Sequence, residues 1–301
     1  MPLLKLIRWK NLIIIALVQL LIKYAFLHPL GAATSLNAIG ISSLIFATIF
    51  IAAAGNIIND IFDVETDLIN KPNKVIIGKQ IPEKTAYTLC IVFNCIGVGL
   101  GYYTSFLVGK PAYFSLFVVI SMLLYMYASY LKQTLLIGNI VVSLLVALSV
   151  LIVGVFDLLP ATNNNNSLLQ LVYFKTIVNY AIFAFLINLP REIAKDIEDV
   201  NGDFKAGMNT LPIAIGRTRA NNLLFAVTLV LILALTYYIV YKIYEHEILV
   251  TYFIIAVLAP LIYTAIKIFN AKTKNHFTHI SNMLKIVMLL GMLSLLLYAY
   301  A

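Results

Sequence analysis

The chain has 301 residues, 62% of them hydrophobic and 11% charged, with a formal net charge of +8. Soluble domains carry about 25% charged residues, so a water-soluble globule is excluded and lipid is the solvent along the whole length. The basic excess does not call for nucleic acid, because positively charged loops on one face of a membrane protein produce it.

A span needs about 20 mostly apolar residues. In chain order nine segments qualify: 12–27, 36–58, 86–108, 112–131, 135–156, 171–189, 222–241, 248–269 and 283–300. The expected fold is all-α: a polytopic membrane protein of nine transmembrane helices, forming a single domain over 1–301. Residues 1–10 are basic, but no small-residue cleavage site follows the first apolar run, which reads as a permanent span and not a signal peptide. Cys90 and Cys95 lie inside an apolar run and read as packing residues, not a disulfide framework. The Asn run at 163–166 reads as a polar loop tip.

Alternating the connections between two sides gives one side the N-terminus and the connections after spans two, four, six and eight. That side collects every basic residue except Lys23, Lys110, Lys175 and Lys242, with Lys285 counted among them. The positive-inside rule makes it cytoplasmic, which predicts an integral cytoplasmic-membrane protein with its N-terminus and motif-bearing loops in the cytoplasm. Every acid except Asp157, Glu245 and Glu247 lies on the same side. Acids do little to set topology, so their clustering has another cause.

They fall into two motifs. Asn59-Asp60-Ile61-Phe62-Asp63-Val64-Glu65-Thr66-Asp67 follows span two, and Asp196-Ile197-Glu198-Asp199-Val200-Asn201-Gly202-Asp203 follows span six. Asn59, Asp63 and Asp67 stand at i, i+4 and i+8 on one helical face, with Asp60 beside them. Asp196, Asp199 and Asp203 repeat the spacing of Asp60, Asp63 and Asp67. Like charges at such spacing repel, and a cation between them removes the repulsion. All-oxygen ligands point to a hard ion, Mg²⁺ or Mn²⁺. Two such clusters facing each other would hold a diphosphate between them. Either motif alone is equally well a solvated polar helix end, and the pair at matched spacing is what carries the reading.

Cations for phosphate stand close in sequence: Lys71 and Lys74 after the first motif, Arg191 and Lys195 flanking the second. Lys195 either serves a phosphate or pairs with Asp199 four residues on. Lys132 ends span four as the lone basic residue of its connection, and is either a snorkelling anchor or a phosphate ligand. Arg8 and Asn11 open span one, where anchoring is the plainer role. The parts suit ionisation of an allylic diphosphate: Mg²⁺ as Lewis acid and template, lysines and arginines where negative charge develops, and the prenyl tail among the spans.

These motifs resemble the UbiA-type superfamily of intramembrane prenyltransferases. The resemblance implies nine transmembrane helices and two Mg²⁺ held by Asn59, Asp60, Asp63 and Asp67 from the first motif and Asp196, Asp199 and Asp203 from the second. Asp63 and Asp199 are then the chief catalytic carboxylates, each anchoring a different ion. Lys132 matches a family lysine that contacts the diphosphate, and Arg8 and Asn11 match an Arg-x-x-Asn pattern at the start of helix one. With Lys71, Lys74, Arg191 and Lys195 they complete the expected substrate-binding set.

Within the superfamily, Gly55 to Asp60, Arg191 to Asp199 and Gly207 to Pro212 are similar to the geranylgeranylglyceryl phosphate geranylgeranyltransferases, which make ether lipids. Relatives often read Asn-Arg-Pro-x-Arg-Pro-Ile-x-Ser-Gly after the first motif. Here Asn70-Lys71-Pro72-Asn73-Lys74-Val75-Ile76-Ile77-Gly78 replaces both arginines by lysine, which carries the charge without the bidentate fork. The expected partners are a polyprenyl diphosphate donor, a lipophilic acceptor and the bilayer, with no nucleic acid. A glyceryl phosphate is the first acceptor and an aromatic one, of the quinone, haem or chlorophyll type, the alternative. A CDP-alcohol phosphotransferase lacks its Asp-Gly-x-x-Ala-Arg signature here. A transporter would place charges or broken helices at the bilayer midplane, whereas these carboxylates gather at one face.

Overall fold

The computed structural model describes residues 1–300. Among them nine helices are long and apolar enough to cross a membrane: α1 Trp9–Leu27, α2 Ala38–Phe62, α3 Glu83–Leu107, α4 Pro111–Ser129, α5 Ile137–Ala161, α6 Ser167–Lys205, α7 Arg217–Lys242, α8 Glu247–Phe269 and α9 Lys274–Tyr300. A lipid solvent offers no partner to a free N–H or C=O, so each span closes its own backbone hydrogen bonds. The number of spans and their order follow the hydropathy, and most ends fall within a few residues of expectation.

The sixth span departs from that expectation. Its helix runs 39 residues, from Ser167 to Lys205, about 58 Å at 1.5 Å per residue against a hydrocarbon core of about 30 Å. The second acidic motif therefore rides on the continuation of α6 and not on a loop. Pro190 lies inside this helix and cannot bond to the carbonyl four residues back. It stands immediately before Arg191, where apolar sequence gives way to charge.

Helices α2 and α3 pack closely because Gly97 has no side chain: a Cβ there would meet the Ile51 side chain and the Ala47 carbonyl. Small residues at the interface are the usual means of bringing membrane helices together. Helix α6 packs against α5, α7 and α9, and α4 against α2 and α5. Six helices (α1, α2, α4, α5, α6 and α9) enclose a cavity of about 260 Å³. One end is polar, with Arg8, Asn59 and Arg191. The deeper wall is apolar, with Val18, Phe117, Val150 and Met292.

At the other end of the bundle, α1 and α5 each loosen into a π-helical turn, Leu21–Leu27 and Gly154–Leu158. The turns carry Lys23 and Asp157, which form a buried ion pair at 2.8 Å. The pair also holds the segment between α1 and α2: Lys23 Nζ donates to the Leu36 carbonyl at 2.8 Å, and the Leu36 N–H donates to Asp157 Oδ1 at 2.7 Å.

Candidate active site

The two acidic motifs meet at one end of the bundle. The first begins inside α2, which stops at Phe62. Asp63 takes a non-helical conformation, and the short helix Val64–Asn70 follows. The helical register survives the break: the Asp63 N–H donates to the Asn59 carbonyl at 3.0 Å and the Asp67 N–H to the Asp63 carbonyl at 2.8 Å. Asn59 Nδ2 donates to Asp63 Oδ2 at 2.7 Å, so the expected face forms in spite of the kink.

Asn70 then ties this helix to α6. Its Nδ2 donates to the Asp199 carbonyl at 2.7 Å, and its Oδ1 accepts the Gly202 N–H at 2.9 Å. A Cβ at position 202 would run into the Asn70 amide, so glycine is what lets the two segments approach.

Three cations sit on the carboxylates, two of them from other segments. Lys132 Nζ lies 2.6 Å from Asp63 Oδ1, Arg8 lies 2.6 Å from Asp60 Oδ1, and Lys71 pairs with Asp199. The Lys132 side chain is only 8% exposed, which sets aside the snorkelling anchor. Arg8 reaches Asp60 from a left-handed backbone, φ 54°, between the helix Pro2–Leu6 and α1. A non-glycine residue takes that conformation infrequently, and this one is neither in a span nor trailing in solvent. Lys195 binds Glu192, at 2.8 and 3.0 Å, and not Asp199. Arg191 also reaches Glu192, at 2.7 Å. Asn11 accepts a hydrogen bond from Lys285. Lys74 is exposed, and among the described residues no carboxylate pairs with it; it stands apart from the cluster.

Several participants were not visible in the sequence motifs. Asn139 of α5 donates to Asp196 Oδ2 at 2.8 Å. Lys274 donates to the Asn70 carbonyl at 2.7 Å and lies 4.0 Å from Asp199 Oδ1. Glu192 and Lys285 line the cavity together with Tyr127 and Asn188. The available signal was a polar residue inside an apolar run, which in a membrane marks function by default. Lys285 is such a residue: it lies within α9 and not in a basic loop.

The electrostatics call for a cation. Burial, and after it the Asp63 carboxylate, push the Asp67 carboxyl up to about 6. Burial works against the charge on Lys71, but the Asp199 carboxylate outweighs it and holds the ammonium above its ordinary value. Asn59 Oδ1 and Asp199 Oδ1 are buried acceptors without a hydrogen-bond partner. Among the described residues no three His, Cys, Asp or Glu side chains converge into a cage that would hold a metal by themselves. Mg²⁺ does not need one, since it usually binds through one or two carboxylates, waters and substrate phosphate oxygens. The residues therefore fit a metal that arrives with a phosphate ligand better than a bare ion.

Known proteins share this fold. A solved structure concerning digeranylgeranylglyceryl phosphate synthase in membranes superposes with a TM-score of 0.65 at 25% identity, covering 99% of this chain and 97% of the other. A UbiA homologue from Archaeoglobus fulgidus, bound to DMAPP and Mg²⁺, superposes with a TM-score of 0.61 at 13% identity over 98% and 99% of the two chains, a likeness of fold. Digeranylgeranylglyceryl phosphate synthase of Methanosphaera stadtmanae is 33% identical over 249 residues, 82% of this chain and 83% of that one. The protein of the same name from Pyrococcus abyssi is 37% identical over 59% of this chain, and the match spans 57% of its own length. The sequence profile of the UbiA prenyltransferase family matches residues 20–282. With both aspartate motifs inside that match, the chain belongs to the UbiA prenyltransferase family.

Proposed function

We propose that this protein transfers a prenyl group from an allylic prenyl diphosphate to the hydroxyl of a glycerophosphate lipid, with Mg²⁺ as cofactor and two ions as the working number. One observation carries the reading: a paired-aspartate cluster, already threaded with lysine and arginine, stands at the mouth of an apolar cavity between membrane helices. A molecule with a diphosphate head and a hydrocarbon tail has the matching polarity.

In this reading Asn59, Asp60, Asp63 and Asp67 on one side, and Asp196, Asp199 and Asp203 on the other, hold the metal. Mg²⁺ there would supply Lewis-acid stabilisation to the departing diphosphate. Lys132, Lys71 and Arg8 contribute fixed positive charge at the same place, where negative charge grows as the carbon–oxygen bond to the diphosphate breaks. The cavity wall keeps water from the allylic cation, the acceptor oxygen forms the new ether bond, and the acceptor proton is released. The glycerophosphate acceptor is supported by the names of the relatives that cover most of the chain. The motif end is assigned to the cytoplasm from the distribution of basic residues.

The test is turnover by purified protein in nanodiscs with labelled prenyl diphosphates of several lengths, Mg²⁺, and two acceptors, an alkyl glyceryl phosphate and an aromatic acid. Ether-lipid product that disappears with EDTA and returns with Mg²⁺ is the expected result. Prenylation of the aromatic acid alone would replace the acceptor, and no prenyl transfer at all would remove the reading.

A further inference from the structure

We propose that Arg191, Lys195 and Lys285 form a phosphate-monoester subsite on the cavity wall, separate from the aspartate motifs, that seats the head group of the acceptor lipid. The inference rests on the glycerophosphate reading above and adds the residues that would recognise it.

Asn188, Arg191, Glu192 and Lys195 follow one another at i, i+3, i+4 and i+7, which places them along one stripe of α6. All four line the cavity. Lys285 faces it from α9, the helix packed against α6. Two of the three cations share one carboxylate, and the third has none. Glu192 Oε1 takes Arg191 at 2.7 Å and Lys195 at 2.8 Å. Lys285 meets only the neutral amide oxygen of Asn11, and among the described residues no carboxylate pairs with it. The cluster is thus left with about two positive charges, and a phosphate monoester carries about −1.5 to −2 at neutral pH.

Two further features point to a ligand. Arg191 Nε is buried without a hydrogen-bond partner, a donor left over from the guanidinium fork that suits phosphate. Lys285 lies inside a span, where a charge lacking a counter-charge is costly and is retained for function. The donor diphosphate does not require this cluster. The motif carboxylates already have their own cations in Arg8, Lys132 and Lys71. An aromatic carboxylate would neutralise only half of the excess charge, so a dianion is the better match.

The experiment compares an alkyl glyceryl phosphate with the same alkylglycerol lacking phosphate and with an aromatic acid, using wild type and Lys285→Gln in nanodiscs with Mg²⁺ and prenyl diphosphate. Wild type should prefer the phosphate-bearing acceptor. Lys285→Gln should raise the KM for that acceptor by roughly 10–100-fold, the size of one charge-assisted hydrogen bond, with donor KM unchanged and the preference for phosphate lost. Lys285→Arg should restore most of it. A rise in donor KM, or a preserved preference for phosphate, overturns the subsite while leaving the function standing. Wild type that prenylates only an aromatic acid overturns both, so the two failures are told apart by the wild-type panel. Should Lys285→Gln fail to accumulate, inhibition of wild type by soluble glycerol phosphate decides: competition with the acceptor and not with the donor is expected, and competition with the donor overturns the proposal.

Discussion

Lys132 shows how one side chain is assigned by its surroundings. A membrane anchor needs only a positive charge near the head groups and stays wet. This ammonium is 8% exposed and lies 2.6 Å from Asp63. Lys132→Gln should therefore weaken donor binding by about 1.5–3 kcal/mol, the range for a hydrogen bond to a charged group, with acceptor KM little changed. Donor and acceptor KM measured side by side check this, and unchanged donor kinetics would return Lys132 to an anchoring role. Asp63→Ala should lower kcat by about 10² or more at matched protein levels, as loss of a preorganised charge-stabilising group does elsewhere. Near-normal turnover would dissolve the metal role assigned to Asp63. The sequence made Asp63 visible through a spaced pattern, and Lys132 as the lone basic residue of its connection. It hid the role of Asn139, because a lone amide in an apolar run carries no spacing signal, and that of Glu192, because a carboxylate beside two cations reads as an ordinary helix ion pair. Only the approach of α5 and α6 reveals that Asn139 orients Asp196.

At the scale of elements, the site depends on two segments that are distant in sequence. The short helix Val64–Asn70 meets α6 through Asn70, which bonds to both the Asp199 carbonyl and the Gly202 N–H. Removing the amide by Asn70→Ala should cost about 0.5–1.5 kcal/mol for each of the two hydrogen bonds and loosen the first motif relative to the second. Gly202→Ala should act on the same contact from the other side, by pushing the Asn70 side chain away. Because both changes break one interaction, their effects on thermal stability and kcat should be clearly less than additive. A double variant that shows the simple sum would mean that Asn70 and Gly202 act independently. Here hydropathy misled: it ended the sixth span at residue 189, where the apolar run stops, while the helix continues to Lys205. A helix needs no apolar face once it leaves lipid, provided its residues favour helix and its inner face is packed. Buried Ile193, Ala194, Ile197 and Val200 supply that packing. Charge alone therefore read as loop what is the rigid arm carrying the second motif.

Over the whole molecule the bundle is polarised, with chemistry at one end and a latch at the other. The count of spans was legible because each run of about 20 apolar residues must be a helix in lipid. The cavity was not, since it depends on which helix faces pack, and nearly every face is apolar. Sidedness is testable directly. In intact cells an impermeant thiol reagent should label Asn164→Cys and not Gly78→Cys, which should be labelled only after permeabilisation, on a background with Cys90 and Cys95 replaced. The latch is Lys23 with Asp157, fully enclosed between the π turns of α1 and α5. About 15 residues of helix, or ~22 Å, separate Lys23 from the Arg8 end of α1. At that distance the pair does not touch the aspartate motifs, and it ties α1, α5 and the segment before α2 together at the far end of the bundle. Lys23→Met leaves Asp157 buried without a counter-charge and should cost about 3–5 kcal/mol. Lys23→Met with Asp157→Leu removes both charges and should recover most of that loss, because burying an ion pair roughly offsets its own attraction. The Leu36 N–H, which donates to Asp157, then lacks its acceptor, so recovery should stop short of wild type. Thermal unfolding in detergent reads the stability, and donor KM reads the site. Recovered Tm with normal donor KM is the expected pair of results. A double variant as unstable as Lys23→Met would show that the charges themselves, and not merely the filled space, hold that end of the bundle together.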